Sequence, residues 1–337
     1  CFSGIAVTNV GHCHPKVVKA ICDQVAALMN CHDFNTPVKV ELMEKLSSIT
    51  PRGLTTGQLF SGGSECIEAT IRLSKASTGK KEFLSFYNGF HGKTLASMSL
   101  SEVRHSSEAP RAPGFYRVPY GHCYHCAFKM EYPDCDLFCV DFIKEVMQHQ
   151  TTGDVAGIIV EPIQGWAGSI VPPDDWMQRL RKLCDDFGIL LIVDEILTCC
   201  GRTGKMWCVE HYDVIPDIIT VGKGFGSGYP VTAFMTTEKI MEKCPPHAFS
   251  TSYGSNPVAC AAALASLEVI EGERLVENAA RVGKFMLKML KEIQDEHEIV
   301  GEVRGKGLLL GMELVKSQKT REPFPEAGHQ MYIKSFG

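Results

Sequence analysis

The chain contains 337 residues, of which 45% are hydrophobic and 22% charged. This composition is typical of soluble globular proteins and unlike that of disordered, collagen-like or coiled-coil chains. Its 34 basic and 39 acidic residues give a net charge of −5. No run of lysine and arginine resembles a phosphate-backbone footprint, and the longest apolar stretches are too short to span a bilayer. The composition therefore predicts neither a nucleic-acid partner nor a membrane.

The cysteine content and the start of the chain bear on its location. Fifteen cysteines in a chain of this length are too dilute for a secreted disulfide scaffold. Several of them, such as Cys184 and Cys260, lie in apolar contexts where a free thiol behaves as a small hydrophobe. A reducing, cytoplasmic location is therefore predicted. Because the chain begins Cys1-Phe2 without a Met or a signal-peptide pattern, we expect a trimmed chain.

Hydrophobic patterning predicts short strands that alternate with longer amphipathic helices. In chain order the predicted elements are helices His14–Met29 and Ser64–Lys75, strands Glu82–Tyr87 and Gly157–Glu161, helix Asp174–Phe187, strands Ile189–Asp194, Asp217–Gly222 and Val231–Thr236, and helices Pro257–Glu271 and Leu275–Glu296. Strands that are apolar throughout are typical of a mostly parallel sheet buried on both faces. The alternation predicts an α/β fold with helices on both sides of the sheet.

The length predicts more than one domain, and the pattern changes near the C-terminal end. Val303–Val315 is interrupted by three glycines and predicts one or two strands of a smaller α+β domain. We expect an N-terminal segment at residues 1–30, a large domain at residues 31–272 and an incomplete small domain at residues 273–337.

Two predicted strands end in residues whose side chains suit catalysis or ligand binding. Asp194 closes the apolar run that begins at Ile189, and Lys223 follows another apolar strand with a glycine on each side. Open α/β sheets bind ligands at the carboxyl ends of their strands. Asp194 would otherwise cap a turn, and a lysine in such a place usually points to solvent. Together, an amine and a carboxylate on two strand ends fit pyridoxal phosphate, whose aldehyde joins a lysine and whose ring nitrogen pairs with an aspartate.

A phosphate site and a stacking partner have candidates upstream. The segment FSGGSECIEA, residues 60–69, leads a glycine pair into a helix whose first N–H groups and positive dipole end favour an anion. An ordinary Ser/Gly helix cap would have the same sequence. Phe90 lies in a glycine-flanked turn after a strand and would stack on a flat ring, or pack on the core as many loop aromatics do.

Taken together, these segments resemble the class-III aminotransferases, the ω-aminotransferase branch of fold-type-I pyridoxal-phosphate enzymes. The dinucleotide, P-loop, zincin and serine-hydrolase signatures are absent. The resemblance covers nearly the whole chain in the order SGIAVTNVGHCHP, FSGGSECIEA, NGFHGKT, IIVEPIQG, LLIVDEILTCCGRTG, DIITVGKG, TSYGSNPVACAAALA and VRGKGLLLGMEL. It implies an enzyme that transfers an amino group from an amine or (ω-)amino acid to a 2-oxo acid such as pyruvate or 2-oxoglutarate.

The resemblance also implies catalytic roles for particular residues. Lys223 would hold pyridoxal phosphate as a Schiff base and then carry the proton between the substrate α-carbon and the cofactor. Asp194 would pair with the ring nitrogen. Glu161 and Arg202 would shape the site without touching the reacting atoms.

The cofactor phosphate and ring face are assigned in the same way. Gly63 and Ser64 would bind the phosphate through backbone N–H groups, with the Ser64 hydroxyl as a further donor, and Phe90 would stack on the ring. Ser252, where the family usually has Thr, would reach the phosphate of a neighbouring copy. The resemblance thus implies a homodimer with its active site at the subunit interface.

Departures from the family pattern concern the substrate. Leu197 stands where members specific for 4-aminobutyrate or ornithine usually have Gln. An apolar residue at this position is closer to the ω-amino acid:pyruvate type. Trp166 replaces an acidic loop residue and would line an apolar substrate pocket or pack as a structural indole. The arginine that grips the substrate carboxylate in this family is expected beyond Gly337.

Three alternatives stay open on the sequence. Relatives of the same family include racemases and a decarboxylase, so this scaffold supports either outcome. Four cysteines with paired spacing would otherwise hold zinc or an iron–sulfur cluster, although their spacing is loose; they are Cys123, Cys126, Cys135 and Cys139. A cofactor-free structural or metal-binding protein is the third alternative.

Overall fold

The computed structural model describes residues 3–102 and 111–334. The outer ends of the two predicted terminal segments, Cys1-Phe2 and the last three residues up to Gly337, lie outside the described residues. The strands are β1 Thr56–Phe60, β2 Glu82–Phe86, β3 Phe115–Val118, β4 Val155–Val160, β5 Leu190–Asp194, β6 Ile218–Val221, β7 Thr232–Thr236, β8 Val300–Lys306 and β9 Leu309–Leu314.

The helices surround the strands in chain order. They are the single turn α1 Ser3–Ala6, then α2 Pro15–Ala27, α3 Pro37–Ile49, α4 Gly63–Thr78, α5 Leu95–Leu100, α6 Phe138–His149, α7 Trp176–Phe187, the single turn α8 Glu238–Met241, α9 Pro257–Gly272, α10 Leu275–Glu296 and α11 Pro325–Lys334. Short 3₁₀ turns occupy Cys208–Tyr212 and Lys223–Phe225. In the described part of the chain, no helix combines the length and apolar character needed to cross a membrane.

The first seven strands form one sheet in the order β1-β7-β6-β5-β4-β2-β3. The neighbours from β6 to β3 are parallel, whereas β7 is antiparallel to both β6 and β1. The predicted α/β class with a mostly parallel sheet is therefore confirmed. The five predicted strands are all present, with ends within two residues of those expected.

Two strands and several helices were not predicted from the sequence. In β1, Gly57 lies so close to β7 that a Cβ there would approach the Phe234 carbonyl oxygen to 2.1 Å. A glycine at this position is needed for packing but interrupts the apolar pattern by which a strand is recognised. The edge strand β3 is four residues long and contains Arg117, so its pattern is equally weak.

Helices cover both faces of the sheet. On one face α3, α6, α7 and α9 contribute to a core with the fully buried Trp176 and Trp207. On the other face α4, α5 and α8 pack against the sheet around Phe83 and Phe234. Since both faces are covered, strands β2, β4, β6 and β7 have no exposed position, which explains why their sequences are mostly apolar and do not alternate with polar residues.

Local sequence sets the ends of several helices. At the start of α9 the Asn256 side chain accepts a hydrogen bond from the Ala259 N–H at 2.9 Å, and Pro257 takes the first helical position. At its C-terminal end α7 stops at Gly188, which has the left-handed φ of 59°.

The C-terminal elements form a separate two-stranded sheet. Strands β8 and β9 pair antiparallel, α10 packs against β8, and α11 contacts β9. The prediction of glycine-broken strands in this region is confirmed. The domain boundaries at residues 30 and 272 stay a prediction.

Candidate active site

The site lies at the carboxyl ends of the parallel strands of the seven-stranded sheet. Strands β5 and β6 are parallel neighbours, with Asp194 opposite Thr220 in the register. Lys223 follows two residues after β6 ends at Val221, so the carboxylate and the amine emerge from adjacent strand ends. In open α/β sheets of this kind, ligands bind in the crevice at the carboxyl ends of the strands.

A cavity of 740 Å³ opens at these strand ends. It is lined by five of the six site residues expected from the sequence, namely Lys223, Asp194, Gly63, Ser64 and Phe90. These residues come from four separate segments of the chain: the start of α4, the turn after β2, the end of β5 and the 3₁₀ turn after β6. A cavity of this size is within the range of small-molecule and cofactor sites.

The sixth expected residue, Ser252, does not line this cavity. It is exposed in the loop before α9, and its carbonyl accepts a hydrogen bond from Asn30 Nδ2 at 3.0 Å. Within one chain, Ser252 is therefore separate from the other five residues.

Lys223 occupies a constrained position. Its φ of 45° lies in the left-handed region, which is costly for a residue with a Cβ. The flanking glycines are required by the protein itself: a Cβ on Gly224 would meet Asn9 Nδ2 at 2.1 Å, and one on Gly222 would meet Thr232 Cγ2 at 2.9 Å. The lysine amine has no hydrogen-bond or ion-pair partner among the described residues. It is thus held at the cavity wall with a free nitrogen.

Asp194 is buried and strongly hydrogen-bonded. His91 Nδ1 lies 2.7 Å from its Oδ2, and its Oδ1 accepts hydrogen bonds from the Thr220 hydroxyl at 2.9 Å and the Ile196 N–H at 3.1 Å. Burial alone would raise the pKa of Asp194, but these donors and the adjacent imidazole hold it below its ordinary value. The carboxylate is therefore ionised across the neutral pH range.

Glu161 joins two loops of the site. One carboxylate oxygen accepts the Phe90 N–H at 2.9 Å, and the other accepts the Gly165 N–H at 3.0 Å. Burial raises the pKa of Glu161, and the negative charge of Asp194 adds to the effect. Arg202, which the sequence placed in the same supporting role, does not line the cavity.

The cavity has an apolar wall. The rings of Phe90 and Trp166 are stacked, with centroids 5.5 Å apart and planes at 28°, although the Trp166 residue is 61% exposed. Leu197 lines the cavity beside them, and it packs so closely on Gly165 that a Cβ there would meet Leu197 Cδ1 at 2.6 Å.

The start of α4 is open to an anion. Its cap residue Gly62 has no side chain to satisfy the first N–H groups, and these groups have no intrahelical partner. The Ser64 hydroxyl accepts a hydrogen bond from the Lys93 N–H at 3.1 Å. A Cβ on Gly92 would approach Ser64 Oγ to 2.3 Å, so glycine is needed there to keep the loop against the helix start.

Sequence reasoning missed two contributions to this site. His91 follows Phe90 in the FHGKT segment, and this adjacency was the one available signal for it. The N-terminal residues Gly4, Ile5 and Val7 line the cavity, although the sequence indicated only a segment preceding the sheet.

The four cysteines of the alternative metal hypothesis line a separate cavity of 20 Å³. Trp176 Nε1 lies 3.3 Å from Cys139 Sγ. Within residues 3–102 and 111–334, no three of these sulfur atoms lie within 4.8 Å of one another, and the thiols there are free.

Comparison with known proteins decides the family. The profile of the family described as "Aminotransferase class-III" matches residues 1–337. The chain belongs to the class-III aminotransferase family.

Individual relatives are similar over most of their length. The leucine/methionine racemase of Thermococcus litoralis is 38% identical over 95% of this chain and 73% of its own, and the acetylornithine aminotransferase of Methanopyrus kandleri is 37% identical over 95% and 77%. An (S)-enantioselective omega-transaminase from Thermomicrobium roseum superposes with a TM-score of 0.91 at 31% identity, over 97% of this chain and 76% of that structure. The chain is therefore a fold-type-I enzyme of the aminotransferase class that depends on pyridoxal phosphate.

The residues present fit this cofactor. The unpaired N–H groups at the start of α4 suit its phosphate. The ionised Asp194 suits a protonated ring nitrogen, and the unpartnered Lys223 amine suits its aldehyde. All three groups line the same cavity, as does Phe90.

Proposed function

We propose that this class-III aminotransferase takes its amino group from amines and ω-amino acids with an apolar chain, using Lys223 and Asp194 as its catalytic pair. The observation that carries the proposal is the meeting of a free amine and an ionised carboxylate from adjacent parallel strands at one cavity with an apolar wall.

Each of the two catalytic residues has a defined task. Bound pyridoxal phosphate supplies an electron-accepting ring to which a substrate amine attaches covalently. Lys223 would hold the cofactor between turnovers, and its Nζ would be the base that accepts the proton from the substrate α-carbon. Asp194 keeps the ring nitrogen protonated, and His91 holds Asp194 in its ionised form. Glu161 fixes the two loops that carry Phe90 and Gly165, without touching the reacting atoms.

The phosphate and the ring face are assigned to the other cavity residues. Backbone N–H groups of Gly63 and Ser64, at the positive end of α4, bind the phosphate, and the Ser64 hydroxyl adds a donor. Phe90 covers one face of the ring. The absence of a side-chain cap at Gly62 supports this assignment.

We further propose a homodimer in which Ser252 of each copy reaches the phosphate of the other. Asn30 hydrogen-bonds to Ser252, and its own segment exposes apolar side chains: Leu28, Met29 and Phe34 are 42%, 63% and 78% exposed. An exposed apolar patch of this kind is typical of a subunit interface. The free thiols of the described cysteines support the proposed cytoplasmic location.

The apolar wall is the basis for the proposed donor class. Leu197 offers no hydrogen bond and no charge for a second carboxylate near the cofactor, and Trp166 offers only its indole N–H, whereas both present apolar surface to the cavity. The solved omega-transaminases that resemble this chain, such as that of Thermomicrobium roseum, are consistent with such a donor.

Amino-acid racemisation is the second candidate function. It is favoured by the relatives named leucine/methionine racemase and isoleucine 2-epimerase, which are 38% and 36% identical to this chain. The same lysine and aspartate would serve both reactions, because each begins with removal of the α-proton.

A half-reaction screen tests the proposal. The cofactor-loaded protein is mixed with single donors and no acceptor, and pyridoxamine phosphate is quantified by chromatography. We expect pyridoxamine phosphate to form with ω-amino acids and apolar amines. Added pyruvate or 2-oxoglutarate should convert it back to pyridoxal phosphate. Chiral analysis of L-leucine and L-methionine incubated without any oxo acid provides the contrast. Rapid racemisation with no pyridoxamine phosphate would replace the first candidate by the second.

A further inference from the structure

A cluster of metal-ligand residues lies outside the cavity. His122, Glu302 and Glu313 each offer one ligand atom, and the three atoms lie within 4.8 Å of one another. His122 belongs to the segment between β3 and α6, and the two glutamates lie on β8 and β9. None of them lines the 740 Å³ cavity. The cluster thus connects the segment between β3 and α6 to the hairpin formed by β8 and β9.

The hairpin brings two like charges together. Glu302 and Glu313 are directly opposite in the antiparallel register, an arrangement that destabilises a strand pair unless a cation accompanies it. Arg304 Nη1 lies 2.6 Å from Glu302 Oε2 and 2.8 Å from Glu313 Oε2. His125 Nε2 lies 2.5 Å from Glu313 Oε1. One guanidinium therefore faces two carboxylates, and Glu302 Oε1 has no hydrogen bond among the described residues.

The nitrogen of one cluster member, His122, is unsatisfied. Its Nε2 is buried and has no hydrogen-bond partner within residues 3–102 and 111–334, although buried polar nitrogens in proteins are nearly always paired. The His125 ring, 5.3 Å away edge-on, does not satisfy it. An imidazole nitrogen without a partner, beside two carboxylates, is a common ligand arrangement for a metal ion.

We propose that His122, Glu302 and Glu313 bind a zinc ion, with water completing a tetrahedral shell. One imidazole and two carboxylates suit Zn²⁺, whereas Ca²⁺ and Mg²⁺ prefer oxygen ligands alone. Carboxylate oxygens have lone pairs for both Arg304 and a metal. Bound zinc neutralises the opposed glutamates and ties the hairpin to the loop that carries His122, so its role is structural.

Zinc titration of the tag-free, cofactor-loaded full chain tests the site. We expect one Zn²⁺ per chain by elemental analysis after dialysis, retained in the presence of excess Mg²⁺. Added Co²⁺ should give visible d–d bands that Zn²⁺ abolishes. His122→Ala and Glu302→Gln should each weaken binding at least about tenfold, and zinc should raise the Tm of the wild type but not of the variants.

A matched control separates this site from adventitious binding. His149 is an exposed histidine paired with Glu145 at 3.6 Å on α6, so His149→Ala should keep the zinc stoichiometry. Glu302→Gln retains the side-chain shape, and far-UV circular dichroism verifies that each variant is folded. The proposal is overturned if the wild type binds no more zinc than His122→Ala, or if His149→Ala and Glu302→Gln lose it equally.

Discussion

His91 Nδ1 lies 2.7 Å from Asp194 Oδ2, and both side chains are at most 4% exposed. The two residues are separated by 103 positions in the sequence. Asp194 is the residue proposed to face the cofactor nitrogen, and its other oxygen is already bonded to Thr220 and Ile196. The imidazole therefore fixes both the orientation and the ionisation of a carboxylate that burial alone would neutralise.

Replacing His91 should weaken catalysis without removing it. His91→Phe is expected to lower kcat about ten- to hundredfold, the loss of a hydrogen bond to a charged group, and less than Asp194→Ala does. His91→Asn, which retains a donor near the Nδ1 position, should preserve most of kcat. Steady-state kinetics measures both, and equal loss in the two variants would contradict a positioning role.

The same contact has a pH dependence with a definite sign. Because the folded-state pKa of Asp194 is depressed below 3.8, its contribution to stability is present above that pH. It is lost as pH falls through the folded-state value. In His91→Phe, activity should begin to fall at a higher pH than in the wild type, as a pH–rate profile would record.

Lys223→Ala should abolish covalent attachment of the cofactor. After borohydride treatment, mass spectrometry is expected to find the phosphopyridoxyl group on the peptide with Lys223 in the wild type and nowhere in the variant. Turnover should fall by several orders of magnitude, because alanine has no amine. Lys93→Ala, at another cavity lysine, serves as the control that keeps the label. Full activity in Lys223→Ala would refute the assignment.

Trp166 should govern the preference for apolar donors. Trp166→Ala is expected to reduce kcat/KM for arylalkyl amines about tenfold or more, since it removes a large apolar contact, and to change kcat/KM for alanine little. Phe187→Ala removes an exposed phenyl outside the cavity and should leave both values unchanged. An equal loss for both donors would indicate that Trp166 only supports Phe90.

Glu195 should make stability fall as pH rises. Burial raises the pKa of its carboxyl to about 7, although the hydrogen bonds that it accepts from the Val209 and Cys208 N–H groups lower the pKa. The folded protein then holds a proton that the unfolded chain releases near pH 4.5. Between these values the free energy of unfolding should decline by up to about 3 kcal/mol. Urea denaturation from pH 5 to 8 measures the slope, which Glu195→Gln should flatten. An unchanged slope would exclude this residue as its source.

Ser252 should affect cofactor affinity only through the dimer. Ser252→Ala is expected to raise the Kd for pyridoxal phosphate about tenfold, as for loss of one hydrogen bond to a charged group, while sedimentation shows an intact dimer. Ser48→Ala, an exposed serine on α3, is the control. Wild-type protein diluted to monomers should bind the cofactor weakly, and a monomer with undiminished affinity would argue against a shared site.

Local patterns in the sequence determined most of the secondary structure. The amphipathic helix Leu275–Glu296 matches α10 residue for residue, because helical periodicity depends on near neighbours in the chain. Asp194 and Lys223 were expected at strand ends for a similar reason. Their strands are continuous apolar runs, and the carboxyl ends of parallel strands share one edge.

Tertiary structure alone decided which distant groups meet. The pairing of β1 with β7, the contact between His91 and Asp194, and the cross-strand opposition of Glu302 and Glu313 join segments that no periodicity links. The glycines beside Lys223 illustrate the difference. Their sequence indicated a close approach, but the approaching atoms, on Asn9 and Thr232, are set by how the whole chain packs. Such contacts depend on the summed packing of many elements, and that sum is not a local property of the sequence.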